Sequence, residues 1–134
     1  MSEIKVDTLT GKTSAGDITV TSEGGAATQS LQQGLAKAWC RYNSVTSTSF
    51  YDSFNCASLV DYETAYTGIN LISVMSSANW SSVTSGGTDT YRIILDTVGA
   101  STKTTSLVRA YASHHDGTGL DIDDGNMTAL GDLA

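Results

Sequence analysis

Thr104-Thr105-Ser106-Leu107-Val108-Arg109-Ala110-Tyr111-Ala112 is the stretch on which the fold turns. Strand spacing puts Leu107, Arg109 and Tyr111 on one face and Val108, Ala110 and Ala112 on the other. Tyr91-Arg92-Ile93-Ile94-Leu95 divides the same way, with Tyr91, Ile93 and Leu95 against Arg92, Ile94 and Asp96. Both stretches carry apolar residues on both faces, and a chain of 134 residues can hardly cover many strands twice. Burial of the second faces by other copies of the chain is therefore expected.

Outward from this stretch, the chain from Lys37 reads as strand after strand. Extended segments are predicted at Ala36 to Asn43, Phe50 to Val60, Tyr66 to Met75, Trp80 to Thr84, Thr90 to Asp96, Thr104 to Ala112, Leu120 to Ile122 and Met127 to Leu130. Turn signals fall at 85–89, at 98–101 and at 114–119, where Gly gathers with Ser, Thr and Asp. Short strands so spaced, without crossover helices, point to an all-β antiparallel β-sandwich, jelly-roll-like, over residues 39–134.

The first 38 residues read differently. Glu3 to Leu9 and Asp17 to Thr21 alternate apolar and polar residues around a Gly11-to-Gly16 turn, which predicts a β-hairpin over residues 1–25 with its linker. A lone hairpin is marginal in water, so Ile4, Val6, Leu9, Ile18 and Val20 are expected to dock on another chain. Residues 26–38 have the only helical spacing, with Leu31, Leu35 and Ala38 at i, i+4 and i+7, interrupted by Gly34. So short a helix needs packing against other copies or its own β-domain, and Leu31, Leu35 and Trp39 are the expected contacts.

Composition excludes whole classes of function. Charged residues make up 16%, against about 25% in average domains, and solubility falls instead to 37 Ser and Thr. A formal charge of -7 with 7 Lys and Arg denies a phosphate backbone the basic patch it needs, so no nucleic-acid partner is expected. No stretch approaches the roughly 20 apolar residues of a membrane span, and the opening residues lack the form of an export signal. No membrane insertion is expected.

Chemistry-bearing motifs are sparse. Nucleophile elbows, phosphate loops, His-Glu-x-x-His and dinucleotide fingerprints are absent, so no enzyme activity and no cofactor are expected. Facing carboxylates for glycan cleavage could come only from Asp52, Asp61 and Glu63, which nothing marks as desolvated. Cys40 and Cys56 read as two buried thiols or as one bridge. In Asp116-Gly-Thr-Gly-Leu-Asp-Ile-Asp-Asp-Gly125, the carboxylates of Asp121, Asp123 and Asp124 beside Gly are candidate calcium ligands or a solvated acidic turn. His114 and His115 point to opposite faces of a strand, and one His per chain could meet on a trimer axis or lie in an exposed loop. Aromatic rings near strand ends stack on sugars or proteins, and Tyr51, Tyr62, Tyr66 and Trp80, with the loop His114, His115 and Asp116, are the candidate receptor-binding residues.

Five segments carry a resemblance: Met1-Ser-Glu-Ile-Lys-Val-Asp7, Leu31-Gln-Gln-Gly-Leu-Ala-Lys-Ala-Trp39, Asp52-Ser-Phe-Asn-Cys-Ala-Ser58, Met75-Ser-Ser-Ala-Asn-Trp80 and Gly131-Asp-Leu-Ala134. Through them the chain resembles small tail-fibre-like and structural proteins of tailed phages that infect marine bacteria. The resemblance implies a virion component without catalytic residues, assembled in the host cytoplasm. The family commonly has an aliphatic residue where Cys40 and Cys56 stand, which favours buried thiols. Together these readings predict a homotrimer that attaches to other virion proteins through its N-terminal segment. Its head loops would recognise a glycan or outer-membrane component of the host surface. A capsid decoration or head-fibre protein and a glycan-degrading enzyme are the alternatives.

Overall fold

The computed structural model describes residues 3–15, 17–87, 92–95 and 103–134, with 92–95 described by their backbone. Tyr91, Asp96 and the turn expected at 98–101 lie outside the described residues. The chain divides into two compact units, residues 1–35 and 36–134.

In the first unit, β1 (Thr19–Thr21) pairs antiparallel with β2 (Thr28–Ser30). A turn at Gly25, with φ of 71°, closes the pair, and Gly25 N donates to Ser22 O. A positive φ costs glycine little, which is why the hairpin forms here. It replaces the hairpin expected between Glu3 to Leu9 and Asp17 to Thr21: residues 3–9 belong to no strand, and Ile4, Val6 and Leu9 are exposed. The helix expected over 26–38 shrinks to α1 (Leu31–Gly34), capped by Ser30 Oγ, which accepts from Gln33 N. Thr28 to Ser30 are already committed to strand pairing and Leu35 is extended, so neither end can propagate the helix.

The second unit is antiparallel β throughout its described strands. One sheet has the order β4 (Ser49–Phe54), β3 (Ala38–Asn43), β10 (Gly125–Leu130), β7 (Ser81–Gly86). The other has the order β5 (Cys56–Glu63), β6 (Tyr66–Leu71), β9 (Leu107–His114), β8 (Arg92–Leu95). The hairpins β3–β4, β5–β6 and β8–β9 each stay within one sheet.

Alternation sorts the faces. Ala38, Cys40 and Tyr42 of β3 and Met127 and Ala129 of β10 join Cys56, Ile69, Leu71, Val108 and Ala112 of the second sheet in one buried cluster. Dispersion and the removal of this apolar surface from water hold the two sheets to a common core. Residues 50–60, read above as one strand, are two strands in different sheets. Asn55 separates them, with φ of 56°, a conformation that Asn tolerates better than most residues. Its amide Nδ2 donates to Lys37 O at 2.9 Å and Ser73 O at 3.1 Å, while Oδ1 accepts from Ser73 N at 2.6 Å.

The short strand expected near 120–122 does not form, and an isolated bridge between Ser113 and Gly119 lies just before it. Ile122 is buried instead and exchanges bonds with Ser44, whose N donates to Ile122 O while Oγ accepts from Ile122 N. Among the described residues no helix is long and apolar enough to cross a membrane.

Candidate functional site

Each sheet of the second unit turns one face to the core, and the opposite faces differ in chemistry. On the first sheet, register sets Val83 opposite Thr128, Thr128 opposite Trp39 and Trp39 opposite Phe54. This row crosses all four strands, and Val83 is 64%, Trp39 39% and Phe54 53% exposed. Phe54 and Trp39 are cross-strand neighbours on one face, and the hydroxyl-bearing Thr128 stands between Trp39 and Val83.

Beside it runs a polar row in which Asp52 lies opposite Arg41, Arg41 opposite Asn126 and Asn126 opposite Ser85. Arg41 meets Asp124 side-on, Nε to Oδ1 at 2.8 Å and Nη2 to Oδ2 at 3.3 Å. The Arg41 hydrogen bond and charge hold the Asp124 carboxyl below the ordinary carboxylate value, and Asp124 raises Arg41 in return. Arg41 also lies 4.9 Å over the Tyr51 ring. The Tyr51 hydroxyl donates to Asp123 O and accepts from Asn43 Nδ2, which pins the ring to the strand end.

The second sheet presents Tyr62, Tyr66, Arg109 and Tyr111. Gly68 lies opposite Arg109 and Tyr66 opposite Tyr111. A Cβ at Gly68 would stand 2.6 Å from Tyr62 Cε2, so the missing side chain is what lets the Tyr62 ring lie over the sheet. The Arg109 guanidinium then sits 3.7 Å from the centroid of that ring, and the Tyr66 and Tyr111 rings pack at 4.8 Å. Asn70 Nδ2 donates to Ser58 Oγ at the same face. Arg109 Nε is buried and makes no hydrogen bond. An unmade bond of this kind costs about 1–3 kcal/mol, and stacking on an aromatic ring returns about 0.5–2 kcal/mol of it.

The structure thus brings Tyr62 and Tyr66 together and places Tyr51 on the other sheet. Trp80, expected among the recognition residues, is a core residue at 4% exposure. Its indole Nε1 donates to Thr104 O, and the Lys103 ammonium lies 4.8 Å over its ring. His114 ends β9, and His115 and Asp116 open the turn after it: Gly117 N donates to His114 O and Thr118 N to Asp116 Oδ1, which holds the Asp116 carboxyl low. Arg109 and Tyr111 are the members of the face that the sequence reading left out. Their alternation with Leu107 was the available signal.

The acidic segment is dispersed among separate partners. Asp121 Oδ1 accepts from Ala65 N, where φ is 78°, and Asp124 holds Arg41. Among the described residues no three His, Cys, Asp or Glu gather as metal ligands. Cys40 and Cys56 are free and buried on opposing sheets. Hydrogen bonding to Cys56, together with burial, pushes the Cys40 thiol far up, which makes it a poor nucleophile.

In the first unit, Leu9, Ile18, Leu31 and Leu35 line a cavity of about 330 Å³ together with Ala15 and Gln32. Ile4, Val6, Leu9, Val20 and Leu35 remain exposed. No family model, curated protein or solved structure matches the chain.

Proposed function

We propose that this chain is a non-enzymatic phage virion protein, a tail-fibre or tail-adaptor component that recognises the host surface. Its second unit is a β-sandwich built from hairpins that stay within their sheets, in place of jelly-roll winding. Three copies assemble so that the first sheet's outer row is buried, and the first unit joins other virion proteins through Ile4, Val6, Leu9 and Val20. The polar, aromatic face of the second sheet stays free for a host glycan.

The exposed Phe54–Trp39 pair, with Val83 beyond Thr128 in the same row, carries this reading, because large apolar side chains side by side on a sheet face are stabilised by a partner that excludes water from them. Exposed aliphatic residues in the first unit fit an attachment role for the same reason. Sedimentation of the purified chain at micromolar concentration is expected to give three times the chain mass, and mass spectrometry of purified particles to find the chain in them. A folded 14.0 kDa monomer would overturn the trimer. Absence from particles would overturn the virion role.

A further inference from the structure

Among the described residues no acid pairs with Arg109, in a chain where acids outnumber Lys and Arg by 14 to 7. Arg109 forms no hydrogen bond or ion pair among the described residues, and its guanidinium stacks 3.7 Å from the centroid of the Tyr62 ring. We infer that Arg109, Tyr62 and the Tyr66–Tyr111 pair form a subsite for a carboxylate-bearing sugar, a uronic acid of a surface polysaccharide. The inference rests on the recognition role proposed above and names the class of glycan.

Arg41 on the other sheet shows what a guanidinium takes when an acid is at hand: a carboxylate bound side-on through Nε and Nη2. Arg109 carries the same planar guanidinium, stacked on the ring with Nε buried and lacking an acceptor, so the edge left for a ligand carboxylate is the end-on pair Nη1 and Nη2. A planar fork matches a carboxylate with two parallel hydrogen bonds, and stacking fixes its orientation in advance. The apolar face of a pyranose ring stacks on tyrosine, and Tyr62 is 41% exposed with Tyr66 and Tyr111 beside it. Asn70 supplies amide groups for sugar hydroxyls. This phenolic, amide-bearing surface fits a hydroxylated ligand, whereas the apolar row of the first sheet fits a second copy of the chain.

Calorimetric titration of the full chain with galacturonate and guluronate oligomers tests the subsite, with methyl-esterified galacturonate as the neutral match. Binding of an acidic oligomer is expected, with loss on esterification and weakening as salt rises. Arg109→Gln is expected to weaken binding roughly ten- to a hundredfold and Arg109→Lys, which keeps the charge without the fork, by less. Should Arg109→Gln fail to fold, Arg109→Lys and the Arg109 guanidinium resonances during titration read the same contact. Equal binding of acid and ester, no binding of either acidic oligomer at millimolar concentration, or a change of oligomeric mass in Arg109→Gln would each overturn the subsite. The last outcome would assign the fork to a carboxylate of another copy. Particle composition is measured separately, so a chain that binds uronates but is missing from virions overturns the virion role alone.

Discussion

The two outer faces of residues 36–134 are made by the same alternation and share one core, yet they offer opposite surfaces. On the first sheet the outward positions hold Phe54, Trp39 and Val83 in register, and the one cation, Arg41, is already paired with Asp124. On the second, Gly68 makes room for Tyr62, and Arg109 stacks there with Nε unpaired. Inward residues decide that the sheets pack; outward residues decide what they meet. A face that sets large apolar side chains in one row and pairs its cation favours burial against protein, whereas a face with a stacked cation among phenols favours a polar, anionic ligand.

The sharpest way to break this contrast is to charge the apolar row. Trp39→Lys with Phe54→Lys is expected to reduce the proposed trimer to single chains, because ammonium groups cannot be buried at a contact without acids opposite them. Sedimentation reads the outcome, and circular dichroism should show the sheets intact. The same pair of charges on the second face, at Tyr62 and Tyr66, is expected to leave the mass unchanged; if it too dissociates the assembly, the faces do not differ in role.

Next in size is the residue that both sheets share. Asn55→Ala removes the amide that ties Lys37 O, Ser73 O and Ser73 N together and leaves Ala at a positive φ. A loss of about 1–2 kcal/mol in urea unfolding is expected, since three backbone groups, one of them partly buried, lose partners and the left-handed backbone is strained. Asn55→Gly separates the two causes, because it restores the backbone freedom and not the hydrogen bonds.

Asn55 also marks where the sequence stops being legible. Strand alternation in Ala38–Asn43, Tyr66–Leu71 and Leu107–His114 is readable because each strand buries one face and the period is two. Nothing in Phe50 to Val60 announces that the chain changes sheets at one Asn, since that choice depends on carbonyls supplied from Lys37 and Ser73. The helical spacing of Leu31, Leu35 and Ala38 misleads for a related reason: Ala38 is buried in a strand and Leu35 is exposed, so the three never share a face. Trp80 is drawn into the core by the carbonyl of Thr104, a partner distant in sequence. Tyr62 and Tyr66 could be singled out as exposed rings, but the guanidinium that completes their face arrives from β9 through sheet pairing.

A smaller change tests whether the second face is organised by its glycine. Gly68→Ala puts a Cβ 2.6 Å from Tyr62 Cε2 and 3.3 Å from Leu107 Cδ1, so the Tyr62 ring must move off the sheet. The ring is the far end of an exposed side chain, so the expected stability cost is under about 1 kcal/mol. The Arg109 side-chain protons, shifted upfield by the ring beneath them, should return toward their random-coil positions in NMR spectra. Unchanged shifts would show that the ring is seated by something other than the glycine.

The smallest expected effect concerns the acids on which Arg41 and Thr118 act. Asp124 and Asp116 are held below the ordinary aspartate value of about 3.9, Asp124 by Arg41 and Asp116 by the Thr118 backbone N–H. A carboxyl whose value is depressed in the folded chain contributes stability that is fully present above the unfolded value and disappears as pH falls through the folded one. Stability should therefore be flat from neutrality to about pH 5 on account of these groups and decline below about pH 4. Asp124→Asn removes the Arg41 share of that decline, and salt weakens it because the pair is exposed. Arg109→Lys should leave the acid limb of the curve untouched, since no carboxylate among the described residues pairs with Arg109. An acid limb that flattens in Arg109→Lys as it does in Asp124→Asn would mean that both faces carry paired cations, and the chemical distinction between them would vanish.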